Sequence, residues 1–185
     1  MRFFFSLLAI AANVAVLGYI IVAVLARSSA GASRVRTGIL DSISGYELWA
    51  GFAVALVATL GSLYLSEIVH LIPCRLCWFQ RIFMYPLVIV LGVAAWRRDA
   101  EIRLTATILA VVGGLIAIYH YLIQQFPSLD SGACDASVPC SAAYIWQWNF
   151  VSIPYMAVSA FALILMLVFA LRSNLARMPI HEDLE

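Results

Sequence analysis

Apolar residues in this chain do not alternate with polar ones; they run almost unbroken for lengths near twenty. Five such stretches cover about residues 3 to 26, 46 to 68, 78 to 96, 104 to 124 and 151 to 171. Crossing roughly 30 Å of hydrocarbon takes about 20 helical residues, so each stretch is long enough to span a bilayer. The hydrocarbon core holds no water to satisfy the backbone, so a span must close its own hydrogen bonds as a helix or sit in a closed barrel. A barrel shows alternation over about ten residues at a time, and no such pattern is present. The predicted fold is an all-α integral membrane bundle.

Composition agrees. Of 185 residues, 64% are hydrophobic and 11% charged, too few polar side chains to cover a soluble domain. The net charge is +1, and the eleven basic residues are all arginines scattered around the apolar runs. No basic patch is formed, which sets nucleic acid aside and leaves membrane lipid as the surrounding partner.

The arginines predict orientation. Arg27, Arg34 and Arg36 follow the first stretch, Arg97, Arg98 and Arg103 lie between the third and fourth, and Arg172 and Arg177 follow the fifth. With five spans these segments share one side, which the positive-inside rule makes cytoplasmic, C-terminus included. Arg2, the turn at residues 74–77 and the loop from about 125 to 150 fall on the other side. The first stretch has a basic start and small residues at Ala30, Gly31 and Ala32, as a signal peptide would. Its apolar run is longer than the usual h-region of about 7 to 15 residues, and it is read as a transmembrane helix that is kept.

The candidate chemistry lies in four cysteines: Cys74 and Cys77 in a C-x-x-C opening the third stretch, and Cys134 and Cys140 in the long polar loop. Both pairs are expected outside the cytoplasm. Directly after Pro73, Cys74 falls at a helix start, where backbone amides and the helix dipole favour a thiolate. The segment from Pro127 to Cys140 is rich in turn formers, so its two sulfurs can meet across an exposed loop that another protein could reach. Inert staples are the alternative in an oxidising compartment, although a Cys74–Cys77 bridge closes too small a ring to gain much loop entropy. A tetrahedral zinc site is disfavoured because no histidine accompanies the loop pair; no metal is expected.

The run Pro73-Cys74-Arg75-Leu76-Cys77-Trp78-Phe79-Gln80-Arg81 through Leu87 closely resembles the disulfide bond formation protein B family, DsbB, and especially its BdbC branch. Tyr119-His120-Tyr121-Leu122-Ile123-Gln124, the loop pair and Val151-Ser152-Ile153-Pro154-Tyr155-Met156-Ala157 follow in the family's order. The resemblance implies a four-helix redox bundle over residues 45–172. An extra N-terminal transmembrane helix and cytoplasmic loop at 1–44, which the family pattern lacks, and a cytoplasmic tail at 173–185 complete the chain. It further implies a bacterial inner-membrane thiol:quinone oxidoreductase supporting disulfide bond formation in exported proteins. Such an enzyme reoxidises a DsbA-like thioredoxin-fold thiol oxidase, with ubiquinone or menaquinone as acceptor. The implied disulfides are Cys134–Cys140 and Cys74–Cys77, with Cys134 meeting the partner and Cys77 facing the quinone.

Arg81 follows Cys77 by one helical turn and so shares its face. It is read as a cation for a quinone carbonyl, or alternatively as a snorkelling anchor. Gln80 and His120 are assigned to the same quinone site. No G-x-G-x-x-G is present, and Gly113-Gly114 lies inside a span, where small residues permit close helix packing. Tyr144, Trp146 and Trp148 suggest an aromatic belt or a short interfacial helix. Glu67 and His70 could pair, and Asn13 could bridge to a neighbouring helix. A vitamin K epoxide reductase-like enzyme would carry its loop pair before the C-x-x-C, the reverse of the order here. A non-enzymatic protein with stapled loops should keep its disulfides unchanged when quinone is removed.

Overall fold

The computed structural model describes residues 2–130, 132, 134 and 137–176, and among these it is all helical, with no strand. The helices are α1 (Arg2–Leu25), α2 (Ala30–Ile43), α3 (Glu47–Leu63), α4 (Arg75–Arg97), α5 (Arg103–Gln125) and α6 (Ile153–Leu175). Five of them are long and apolar enough to cross a membrane. The protein is thus a multi-pass helical membrane protein. Arg177, placed in the tail by the sequence, lies outside the described residues.

Helices α3 to α6 form the core. Without a hydrophobic driving force between helices in lipid, contact depends on close backbone approach over small residues. On α5 these are Ala106, Ala110, Gly113 and Ala117, buried at three- and four-residue intervals and hence on one face. Phe161 of α6 fills the notch at Gly113, and Met84, Leu87 and Leu91 of α4 complete the cluster. His120 is the next position on the same α5 stripe, and the packing that buries Gly113 and Ala117 also buries it at 2% exposure.

The remaining polar contacts tie the outer elements to this core. Asn13 of α1 donates from Nδ2 to the Tyr155 hydroxyl and to Ser159 Oγ of α6, both at 2.8 Å, so the bridge expected of it is present. At the far end, Asn174 of α6 donates to the Leu40 carbonyl of α2 at 3.1 Å and to the buried carboxylate of Glu47.

Three sequence expectations are revised. The segment after the first span is a helix, α2, rather than a loop: Ser29 caps it, and Leu40 at 1% exposure anchors it on the bundle. Tyr144 to Trp148 form no helix, because Trp148 and Asn149 adopt left-handed backbone that turns the chain back so that Gln147 pairs with Val151. Glu67 accepts from Ser66 Oγ at 3.0 Å instead of pairing with His70, which lies just beyond the π-helical turn Tyr64–Ile68 in left-handed backbone, φ 56°.

Candidate active site

Helix α4 begins at Arg75, three residues before its apolar stretch, so the C-x-x-C occupies its first turn with Cys74 as N-cap. Cys74 Sγ accepts the Cys77 backbone N–H at 3.4 Å, replacing one of the partners that a helix start leaves unsatisfied. The two sulfurs are unbonded here, 3.1 Å apart. The helical turn sets them within contact, and this is the reduced form of the same pair.

His120 reaches Cys74, and two further groups hold its ring in place. Gln80, on the buried stripe of α4 one turn after Leu76, brings its amide nitrogen to His120 Nδ1 at 2.8 Å. An amide N–H can only donate, so Nδ1 accepts and the ring proton sits on Nε2. Nε2 lies 3.6 Å from Cys74 Sγ and 3.2 Å from the Cys140 carbonyl oxygen. His120 therefore presents an N–H between the helix pair and the loop pair.

These contacts draw the Cys74 thiol down to about 4. The hydrogen bond shared with Cys77 is the largest cause, opposed by burial and reinforced by His120. The sign is that of a stabilised thiolate: present at neutral pH and lost as pH falls through the lowered value. Thiolate ultraviolet absorbance of the reduced protein should hold nearly constant from pH about 7 to about 5, whereas an ordinary thiol of pKa about 8.5 would show little there. In His120→Ala the midpoint should move upward, and an unchanged midpoint would remove His120 from this role.

Cys134 and Cys140 are joined in a disulfide, with Cα atoms 5.8 Å apart. The pair is less exposed than its turn-rich sequence suggests. Cys134 is half-buried, while Cys140 is fully buried with Cys74, Leu76 and Ile123 in an apolar cluster capping the end of the bundle. Sulfur behaves here as a small hydrophobe. The two loop sulfurs thus differ in access: Cys134 packs at the edge of this cluster and stays half-buried, while Cys140 lies inside it with Cys74.

Arg81 turns to the other side of α4. Its Nε donates to Ser62 Oγ at 2.9 Å and its Nη2 to the Ser62 carbonyl at 3.1 Å, while the guanidinium sits 5.0 Å from the Trp78 ring centroid. Nη1 has no hydrogen-bond partner among the described residues. A cavity of about 360 Å³ opens beside it, with Cys77, Gln80 and Arg81 in its polar end and almost entirely apolar walls. His120 does not line this cavity, because the Gln80 amide stands between them. Ser62, which aims Arg81, was not anticipated; a serine near a helix end carries no distinguishing pattern.

Cys74, Cys77 and His120 offer ligand atoms all within 4.8 Å of one another, a donor set that suits a soft metal. Both ring nitrogens, however, are engaged by Gln80 and the Cys140 carbonyl, which favours thiol chemistry over metal binding.

A family model described as "Disulfide bond formation protein DsbB" matches residues 46–172. The chain belongs to the DsbB family. Among its curated relatives, "Disulfide bond formation protein C" of Bacillus subtilis is 45% identical over 128 residues, 69% of this chain and 93% of that protein. "Probable disulfide formation protein C 1" of Bacillus anthracis is 42% identical over 130 residues, 70% of this chain and 94% of that protein. A "Probable disulfide formation protein" of Oceanobacillus iheyensis is 44% identical over 115 residues, 61% and 79% of the two chains. No solved structure matches. Membership makes this protein a membrane disulfide oxidoreductase of disulfide bond formation. The family match begins at residue 46, after α1 and α2.

Proposed function

We propose that this protein is a thiol:quinone oxidoreductase of a bacterial cell membrane. In this reading it reoxidises a DsbA-like thioredoxin-fold disulfide donor outside the cytoplasm, with its C-terminus inside. The observation that carries the reading is the relay itself: a loop disulfide with one half-buried sulfur, a buried histidine N–H, a helix-capping Cys74 and an apolar cavity, in that order through the structure.

A thiolate of the reduced partner attacks the more exposed sulfur, Cys134, forming a mixed disulfide and releasing Cys140. The partner's second thiolate then attacks its own sulfur in that bond; the partner leaves oxidised, and Cys134 and Cys140 hold its two electrons and two protons as thiols. Cys140, buried beside Cys74, next attacks a Cys74–Cys77 disulfide, and Cys134 closes back onto Cys140. The result is the arrangement seen here, with the loop pair bonded and the helix pair reduced. His120 holds the proton at Nε2 that stabilises Cys74 as the thiolate leaving group.

The cavity suits a quinone: apolar walls for a hydrocarbon body, with Arg81 and Gln80 at the end bearing Cys77. A bound quinone would supply a two-electron, two-proton acceptor, restoring the Cys74–Cys77 disulfide. Arg81, held by Ser62, would orient a carbonyl oxygen. An inert staple at Cys74–Cys77 is disfavoured because so small a ring gains little loop entropy, and because Cys74 adjoins His120 while Cys77 lines the cavity.

The test is anaerobic quinone reduction by purified protein, supplied with a reduced thioredoxin-like substrate and a soluble quinone analogue. Reduction should require substrate and vanish in Cys77→Ser. Quinone that stays oxidised while the wild-type cysteines remain paired would overturn the proposal.

A further inference from the structure

Helix α1 stands outside the family match, yet it forms part of the cavity wall through Phe5, Leu8, Ala9 and Ala12. These positions recur at three- and four-residue spacing and so make one face. The same face holds the helix to the bundle. Ala9 is 5% exposed, and the Phe5 ring lies on Gly61 of α3 so closely that a methyl there would come within 2.8 Å of it. Asn13, one residue beyond Ala12, hooks onto Tyr155 and Ser159 of α6, setting the rotation and depth of α1. The opposite face, with Val14, Leu17 and Ile21, is exposed for lipid.

The contacts also give the level of each residue. Helices α3 and α4 run antiparallel, because Arg81 meets Ser62 while Gly51 lies against Leu91. Phe5, opposite Gly61, is therefore level with Arg81, at the polar end of the cavity. Ala12 is seven residues further along α1, about 10 Å deeper at a rise of 1.5 Å per residue. There the lining from α3 is Ala53, Val54 and Val57, wholly apolar.

We infer that α1 walls the deep, apolar part of the acceptor cavity and that Leu8, Ala9 and Ala12 set which quinone tail it accepts. The inference rests on reading the cavity as the quinone site. Small side chains at residues 9 and 12 leave width for a hydrocarbon chain beside a helix that the four-helix pattern does not include. The extra helix is thus a specificity element rather than a simple anchor.

The experiment uses the full chain, reduced thioredoxin-fold substrate and two quinones with one head group, one bearing a ten-carbon tail and one without. In Ala12→Phe the ratio of KM for the tailed to the tail-less quinone should rise about tenfold or more, the low end of what one methylene is worth in an apolar pocket. Leu8→Ala, which adds space instead of removing it, should shift the same ratio, and it decides the matter if Ala12→Phe fails to exchange disulfides with the substrate. A ratio unchanged in every variant that still exchanges overturns the inference and leaves the quinone reading standing. Wild-type protein that exchanges with substrate but reduces neither quinone overturns both.

Discussion

A Cys74→Ser protein is expected to take one pair of electrons from a reduced thioredoxin-fold substrate and then stop. The loop disulfide remains available, so the first exchange proceeds and leaves Cys134 and Cys140 as thiols. Among the described residues the only cysteine left beside them is Cys77, which cannot form a disulfide by itself, so Cys140, buried at the bundle end, has no disulfide to attack. Steady turnover should fall by about 10³-fold or more, as when a covalent participant is removed from a group that acts as a unit. Serine retains an N-cap oxygen for the Cys77 N–H, so the helix start should survive. Acid quenching followed by thiol counting checks the stoichiometry: one oxidised substrate per protein for Cys74→Ser, and none for Cys134→Ser. Continued turnover in Cys74→Ser would mean that the loop pair delivers electrons elsewhere.

The largest expected loss of stability comes from one added methyl group. In Gly113→Ala the new carbon would stand 2.3 Å from Phe161 Cζ and 2.9 Å from Phe83 Cβ. The Phe161 ring is 1% exposed and the Phe83 contact is at a side-chain root, so neither can swing clear. Overpacking of this kind costs about 3 kcal/mol, at the upper end of its usual range. Because His120 continues the same face two turns along, prying α5 from α6 should also disturb the contacts around Cys74. Gly114→Ala is the control: its methyl would meet Phe161 Cβ at 3.5 Å, an ordinary contact. Unfolding in mixed micelles should show Gly113→Ala well below wild type and Gly114→Ala close to it. Equal behaviour of the two would mean that the Phe161 notch does not hold the bundle together.

Much of this protein is legible along the chain because lipid imposes a simple demand. Each backbone must satisfy itself within one span, so the five apolar stretches marked the five long helices to within a few residues, and the C-x-x-C could be placed at a helix start. The one-turn spacing from Cys77 to Arg81 likewise put both at one cavity. Helix α2 escaped because most of its surface is exposed and it meets the bundle through scattered positions such as Arg36, which donates to Ser173 Oγ at 3.4 Å, and Leu40, which leave no long apolar signature.

Partners distant in sequence are a different matter. Local periodicity says which face a residue occupies, but not which helix that face meets. The sequence by itself therefore determined the spans, the chemical character of both cysteine pairs and the alignment of Arg81 with Cys77, all consequences of bilayer thickness and the 3.6-residue turn. Only the tertiary structure decided that His120 faces Cys74 and Cys140 with Gln80 between it and the cavity, that Cys140 is fully buried while Cys134 is half-buried, and that α1 lines the cavity. Those outcomes follow from how closely small residues such as Gly61 and Gly113 let particular helices approach, a property of pairs of helices that no single stretch of chain contains.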